Sequence, residues 1–170
     1  MAAWRRMSVA DAPALQRIAD EIHTDLPEGE HVFAERVRLF PEGCLVLADG
    51  AGVCGYAISH PIRRHHPPTL DSLLGEIPPD ADHYYIHDIA VLPRVRGQGL
   101  AGDCVKRLLE VAKRYLTTSL ISVYGTVPFW SRFGFGPEPI DEGLREKLSG
   151  YGEGAVYLSR DNGVDRGSSI

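Results

Sequence analysis

A chain of 170 residues, 44% of them hydrophobic, can bury one substantial core and has no length for a second comfortable domain. Its formal net charge of −5 is spread as mixed charges along the chain, without the concentrated basic surface that phosphate backbones require, so nucleic acid is excluded as a partner. The opening Met1-Ala-Ala-Trp-Arg-Arg lacks the apolar core of a signal peptide, and no later stretch approaches the ~18 apolar residues of a membrane span, so a soluble, cytoplasmic protein with no membrane contact is expected.

Ser8 followed by Asp11, with Leu15, Ile18, Ala19 and Ile22 at helical spacing, predicts a first helix capped by the serine. After the turn-rich Leu26-Pro-Glu-Gly-Glu, residues 32–40 read as a second short helix stopped by Pro41. Residues 44–48 and 53–59 flank Asp49-Gly50-Ala51-Gly52 and predict an antiparallel hairpin. Residues 61–79 are rich in proline and carry no periodicity, so a long ordered loop beside a site is expected there. Residues 84–92 form an apolar strand ended by Pro93, and from Gln98 onward the residues Leu100, Ala101, Cys104, Val105, Leu108, Val111, Ala112 and Tyr115 recur at steps of three and four, a helix with one buried face. A strand at 119–123, a short helix at 127–133 and a last strand at 155–158 follow, and the polar, glycine-rich end beyond Arg160 is expected to fray. Residues 1–160 are thus read as one domain and 161–170 as a flexible tail. Cys44, Cys54 and Cys104 are odd in number, widely spaced and set in apolar runs, the pattern of buried free thiols.

The run Arg94-Val-Arg-Gly-Gln-Gly-Leu-Ala lies between a strand and a helix start, where backbone N–H groups lack intrahelical acceptors and the helix dipole favours an anion. Gly97 and Gly99 allow a sharp turn and the close approach of a phosphate, and a pyrophosphate is the natural guest. A third glycine at dinucleotide-binding spacing and a Gly-Lys-Ser/Thr are both missing, so those two nucleotide motifs fail.

Val91, Pro93, Arg96, Gly97, Gly99 and Ala101 together resemble the signature of the GNAT superfamily of N-acetyltransferases, and Val127-Pro-Phe-Trp-Ser-Arg-Phe-Gly-Phe looks like that family's second aromatic-glycine block. The likeness runs from about Met7 to about Leu158. It implies an α/β fold with a mixed, mostly antiparallel sheet, splayed central strands and flanking helices. It further implies that acetyl-CoA is the co-substrate, with the backbone of Ile89 and Val91 pairing with the pantetheine arm and the amides from Arg96 through Gly97, Gln98, Gly99 and Leu100 to Ala101 holding the pyrophosphate.

Acetyl transfer to an amine requires removal of a proton, because an alkylammonium is about three units too basic to be neutral at physiological pH. Strand alternation places Tyr85, His87 and Ile89 on one face and Ile86, Asp88 and Ala90 on the other. His87, two residues before the implied pantetheine contact, is the first choice for base or relay; arylalkylamine acetyltransferases are similar in having a histidine at the matching position. Asp88 either orients a substrate cation or anchors a neighbouring loop. Trp130 stands where much of the family has a tyrosine that protonates the leaving thiolate, and an indole N–H cannot do so. Either Tyr124 supplies that hydroxyl or the thiolate leaves unassisted. The cluster Arg63-Arg64-His65-His66 reads as a solvated loop, no metal is expected, and Lys106, Arg107, Lys113 and Arg114 read as the wet face of their helix.

The expected activity is acetyl transfer to a primary amine by direct attack without a covalent enzyme intermediate. Two alternatives stay open: a CoA-binding regulatory module without turnover, and a protein or peptide N-acetyltransferase, for which residues 61–79 would border an open groove instead of covering a pocket. A homodimer also stays open.

Overall fold

The Asp49–Gly52 segment turns the chain as its composition demands. In the computed structural model, which describes residues 1–163, the Asp49 carboxylate accepts a hydrogen bond from the Ala51 amide (2.9 Å) and Gly52 takes a φ of +118°. The turn joins β2 (Cys44–Asp49) to β3 (Gly52–Ile62) as an antiparallel pair. A strand the sequence reading did not find, β1 (Ala3–Arg6), adds to the outer edge of β2; four residues are too few to show a period. On the other side of β3 lie β4 (His83–Val91), β5 (Thr117–Ser122) and β7 (Val156–Asp161), with the two-residue β6 (Gly136–Pro137) at the far edge. The order is β1-β2-β3-β4-β5-β7-β6, and every neighbouring pair is antiparallel except β4 with β5.

That single parallel pair is short. Tyr84, Tyr85 and Ile86 of β4 face Thr118, Ser119 and Leu120 of β5, and beyond Ile86 these two strands separate, β4 staying paired with β3 and β5 with β7. Helices α1 (Ala12–Ile22) and α2 (Glu30–Leu39) cover one face of the sheet, where Leu15, Ile18 and Phe33 pack on Val46, Tyr56 and Ile58. On the opposite face α3 (Leu100–Ala112) and α4 (Val127–Ser131) pack Cys104, Val105, Leu108 and Trp130 on Leu45, Ala57, Ile86 and Leu120. The Ser8 amide donates to the Asp11 carboxylate (2.8 Å), and a 3-10 turn precedes α1, whose first turn accommodates Pro13 without losing a hydrogen bond.

A further helix missed in the sequence, α5 (Glu142–Ser149), buries only Leu144 and Leu148; its one legible signal is Asp141, whose carboxylate accepts from the Leu144 amide (2.8 Å). The end of the chain also differs from expectation. Arg160 and Asp161 continue β7, paired with Thr118 and Thr117, and the Asn162 amide group donates to the carbonyls of Ala112 and Tyr115. Residues 164–170 of the expected tail lie outside the described residues. All three cysteines are free and buried.

Candidate functional site

Strict alternation separates His87 from Asp88, but β4 does not alternate strictly. Its register with β3 slips so that Ile58 faces Asp88 and Ser59 faces Ile86, leaving His87 as a bulged residue without a partner. Ile86 and Ile89 therefore both join the core beneath α3, while Asp88 and Ala90 sit opposite Ile58 and Tyr56 on the α1–α2 side. His87 turns to that side too, its Nε2 hydrogen-bonded to Glu28 in the α1–α2 connection. The pairing of His87 with Ile89 on one face is thus corrected: His87 and Asp88 share a face, and Ile89 lies behind them. A bulge is a property of two strands in register and has no signature in one of them.

Two buried networks result. His87 meets one oxygen of Glu28 and leaves its Nδ1 buried and, among the described residues, without a partner. Asp88 accepts from Tyr56 Oη (2.5 Å) and faces His23 Nε2 (2.9 Å to one oxygen), while His23 Nδ1 reaches Tyr124 Oη at 3.3 Å with the two rings stacked. Burial opposes charge on His23, yet the hydrogen bond and charge of Asp88 outweigh it and raise the His23 pKa. Burial likewise pushes Asp88 upward, but His23 and Tyr56 bring it below the usual carboxylate range. Both shifts favour the charged forms, imidazolium on His23 and carboxylate on Asp88. Tyr124, 58% exposed and held at a φ of +55°, is the solvent end of this chain. His23, Glu28 and Tyr56 were missed by sequence reasoning, because a histidine at a helix end, a glutamate in a Pro-Glu-Gly turn and a strand tyrosine carry no motif.

Behind His87 lies His60, its ring centroid 6.5 Å away and its pKa lowered by burial to about 3. The unfolded chain binds a proton on His60 near pH 6.5 and the folded chain does not until about pH 3, so this residue's contribution to stability falls as the pH drops through that window. His60→Asn is expected to flatten the acid side of the stability profile by about 1.4 kcal/mol per pH unit below pH 6, read as the difference in urea unfolding between variant and wild type.

The loop at residues 63–82 is ordered, as expected, although Pro61 and Ile62 still belong to β3. Glu28 accepts from the Asp71 amide (2.7 Å), and the Gly29 amide donates back to the Asp71 carboxylate (2.8 Å). Buried Glu35 accepts from the amides of Leu74 and Gly75, and Arg36 donates to the Ser72 carbonyl. On the opposite side Lys147 and Tyr151 donate to the carbonyls of Pro67 and Pro68. The loop thus bridges the α1–α2 connection and the segment after α5, and Leu70 projects into the space between. That space is a cavity of about 620 Å³ lying where β4 and β5 part, walled by Leu26, Glu28, His87, Asp88, Tyr124 and Tyr151 among others.

A second cavity of about 610 Å³ opens at the head of α3 and shares Val91, Arg96, Ala101 and Phe129 with the first. Gly97 and Gly99 line it with φ values of +83° and +77°, and a Cβ at either would project into open space. Among the described residues the amides from Gly97 to Ala101 have no acceptor, whereas the Arg96 amide already donates to the Pro93 carbonyl (3.2 Å). The Arg96 side chain instead donates to the Val91 carbonyl (2.9 Å). The Leu92 amide bonds to Cys54 of β3, so by alternation the backbone groups of Ile89 and Val91 face away from β3, along the edge that β5 has left open. Lys106, read from sequence as a wet helix face, lines this cavity with Arg132.

Trp130 is 7% exposed and packs edge-on against Phe129 and Phe135. Arg63 pairs with Asp80, Arg64 and His65 pair with Glu138, and among the described residues no three metal-ligating side chains converge. Among the same residues no helix is long and apolar enough to cross a membrane.

A sheet splayed beside its one parallel pair, with a glycine loop at the head of the following helix, is an architecture shared with solved structures of known family. The profile of the acetyltransferase (GNAT) family matches residues 6–135, and the chain belongs to that family. Among solved structures it is similar to the GNAT-like decarboxylase GphF in complex with isobutyryl-CoA (16% identity, TM-score 0.73, 94% of this chain and 99% of that one). It is also similar to the loading GNATL domain of CurA from Lyngbya majuscula (15%, TM-score 0.72, 95% and 98%) and to the ribosomal-protein-S18-alanine N-acetyltransferase of Escherichia coli (18%, TM-score 0.66, 100% and 99%). At these identities the likeness is one of fold. No curated protein matches the sequence.

Proposed function

We propose that the chain transfers an acetyl group from acetyl-CoA to a small primary amine by direct attack, with His87 as base. The observation that carries this reading is the continuity of the two cavities: one passage runs from the free amides of the glycine loop, along the open edge of β4, to His87 and Asp88. The solved relative with isobutyryl-CoA supports a CoA-type ligand.

The amides of Gly97, Gln98, Gly99, Leu100 and Ala101, with Lys106 and Arg132 nearby, would hold the pyrophosphate, and the main chain of Ile89 and Val91 would hold the pantetheine arm. Bound there, acetyl-CoA supplies the activated acyl carbon and a leaving thiolate. His87 takes up, through water that reaches its buried Nδ1, one proton of the substrate ammonium; the nitrogen then forms the new bond to the acyl carbon as the carbon–sulfur bond breaks, and its second proton leaves to water. Tyr124 is one of the hydroxyls that line the passage, with Thr126 and Tyr151, and His23 behind it can return the proton that Tyr124 gives to the thiolate. Trp130 packs and takes no proton. Asp88, tied to His23 and Tyr56, holds this relay in place.

The bridging loop favours a small acceptor. A peptide laid beside the α1–α2 connection would have to break the hydrogen bonds that Asp71, Leu74 and Gly75 make there. The test is thiol release from acetyl-CoA across arylalkylamines, polyamines, amino acids, aminoglycosides and short peptides. Stimulation by a small amine is expected; stimulation by peptides alone would reject the small acceptor, and CoA binding without any stimulated release would favour a regulatory module. Gly99→Ala is expected to weaken CoA at least about tenfold by calorimetry. A Cβ at a left-handed position strains the loop by about 1–2 kcal/mol, and at Gly99 it stands in the space before the free amides.

A further inference from the structure

We propose that Glu28 is the positioning residue of this site: it fixes the tautomer of His87 and, through its second oxygen, clasps the 63–82 loop over the cavity. The inference rests on the reading of His87 as base. Glu28 is 5% exposed and lies in the turn between α1 and α2, far in sequence from both of its partners. One carboxylate oxygen meets His87 Nε2 and the other accepts from the Asp71 amide at 2.7 Å. Asp71 sits at a φ of +55°, a strained conformation for a residue with a Cβ, and its carboxylate closes the loop back onto the Gly29 amide. The other ionisable groups around the pair are Asp88, Tyr56, Tyr85 and His60 on the sheet, His23 at the end of α1, Arg36 on α2 and Tyr151 after α5. Among the described residues none of them hydrogen-bonds to Glu28.

The chemistry follows from the donor inventory. A carboxylate only accepts, so both of its neighbours must donate. An amide N–H always does. His87 must therefore carry a proton on Nε2, so that in the neutral ring Nδ1 is the lone-pair nitrogen, and Nδ1 is the ring atom without a partner among the described residues. When Nδ1 takes up the proton that the substrate ammonium releases, the imidazolium forms beside a carboxylate that is already in contact with it.

Glu28→Gln separates this role from shape. The Asp71 amide can only donate, so the glutamine oxygen must face Asp71 and the glutamine NH₂ must face His87. His87 Nε2 then becomes an acceptor, the proton moves to Nδ1, and the base is silenced while the clasp is kept. Nitrogen-detected NMR of the His87 ring is expected to show the Nε2–H tautomer in the wild type and Nδ1–H in E28Q. With the preferred amine, kcat should fall by about 10²-fold or more, in line with wrong-tautomer variants of other imidazole bases, while KM changes less than about threefold. Amide exchange at Asp71 should stay slow in E28Q and speed up at least about tenfold in Glu28→Ala.

A wild-type His87 found with its proton on Nδ1 overturns the proposal whatever the variants do. So does an unchanged tautomer in E28Q, or Asp71 exchange unaffected in Glu28→Ala. Wild-type protein that shows the expected tautomer but releases no thiol with any amine would sink the transferase reading and leave the placement of His87 by Glu28 standing.

Discussion

Replacing His87 by alanine is expected to lower amine-stimulated thiol release by about 10²- to 10⁴-fold, the range that a positioned general base contributes. CoA affinity should stay near the wild-type value, because the groups proposed to hold CoA lie at the head of α3 and along Ile89 and Val91, and the bulge in β4 turns His87 to the opposite side of the sheet from Ile89. The loss should appear in kcat with small-amine acceptors, and circular dichroism should report an unchanged fold. Release that survives the substitution would move the proton to water held by Asp88 or to another group, while keeping the transferase reading.

Arg36→Met is expected to cost about 3 to 5 kcal/mol of stability, the penalty for removing one partner of a buried ion pair. Arg36 is 1% exposed; its guanidinium donates to Glu35 at 2.6 Å and to the Ser72 carbonyl at 3.1 Å. Burial lowers the Arg36 pKa against the opposing pull of Glu35 and Glu28, so the charge is held there by its neighbours. Without it, the Glu35 carboxylate is left buried with only the Leu74 and Gly75 amides, and the grip of α2 on the loop weakens. The midpoint of urea unfolding checks the magnitude. Faster amide exchange at Leu74 and Gly75 than in the rest of the sheet would show that the loop loosens first; a loss of less than about 1 kcal/mol would mean that the pair contributes little beyond packing.

The glycine loop and the fold class were legible for local reasons. Gly97 and Gly99 occupy positive-φ positions at a helix start, and a chain can announce such a requirement in five residues. The apolar period of α3 and the turn at Asp49–Gly52 are equally local. Elements with few apolar residues were not legible: β1 and α5 are stabilised by what they dock against, Trp4 donating to the Leu100 carbonyl and Leu144 packing with Ile121 and Tyr157. Arg96 illustrates a finer limit. Its place in the signature was evident, but its amide is already engaged by Pro93, and its side chain serves the backbone of Val91.

The sequence by itself determined that this is an α/β fold with a glycine turn between a strand and an amphipathic helix, because those features depend on residues within a few positions of one another. Only the tertiary structure decided how the titratable groups around the cavity are arranged. The bulge at His87 arises from the register of β3 against β4, and it delivers His87 and Asp88 to the same face. Their partners come from 59 and 65 residues away, Glu28 for His87 and His23 for Asp88. A loop with no periodicity of its own is held in place by buried charges on α2. A carboxylate or imidazole is inexpensive to leave in water and costly to bury alone, so which of them are paired is set by the packing that buries them.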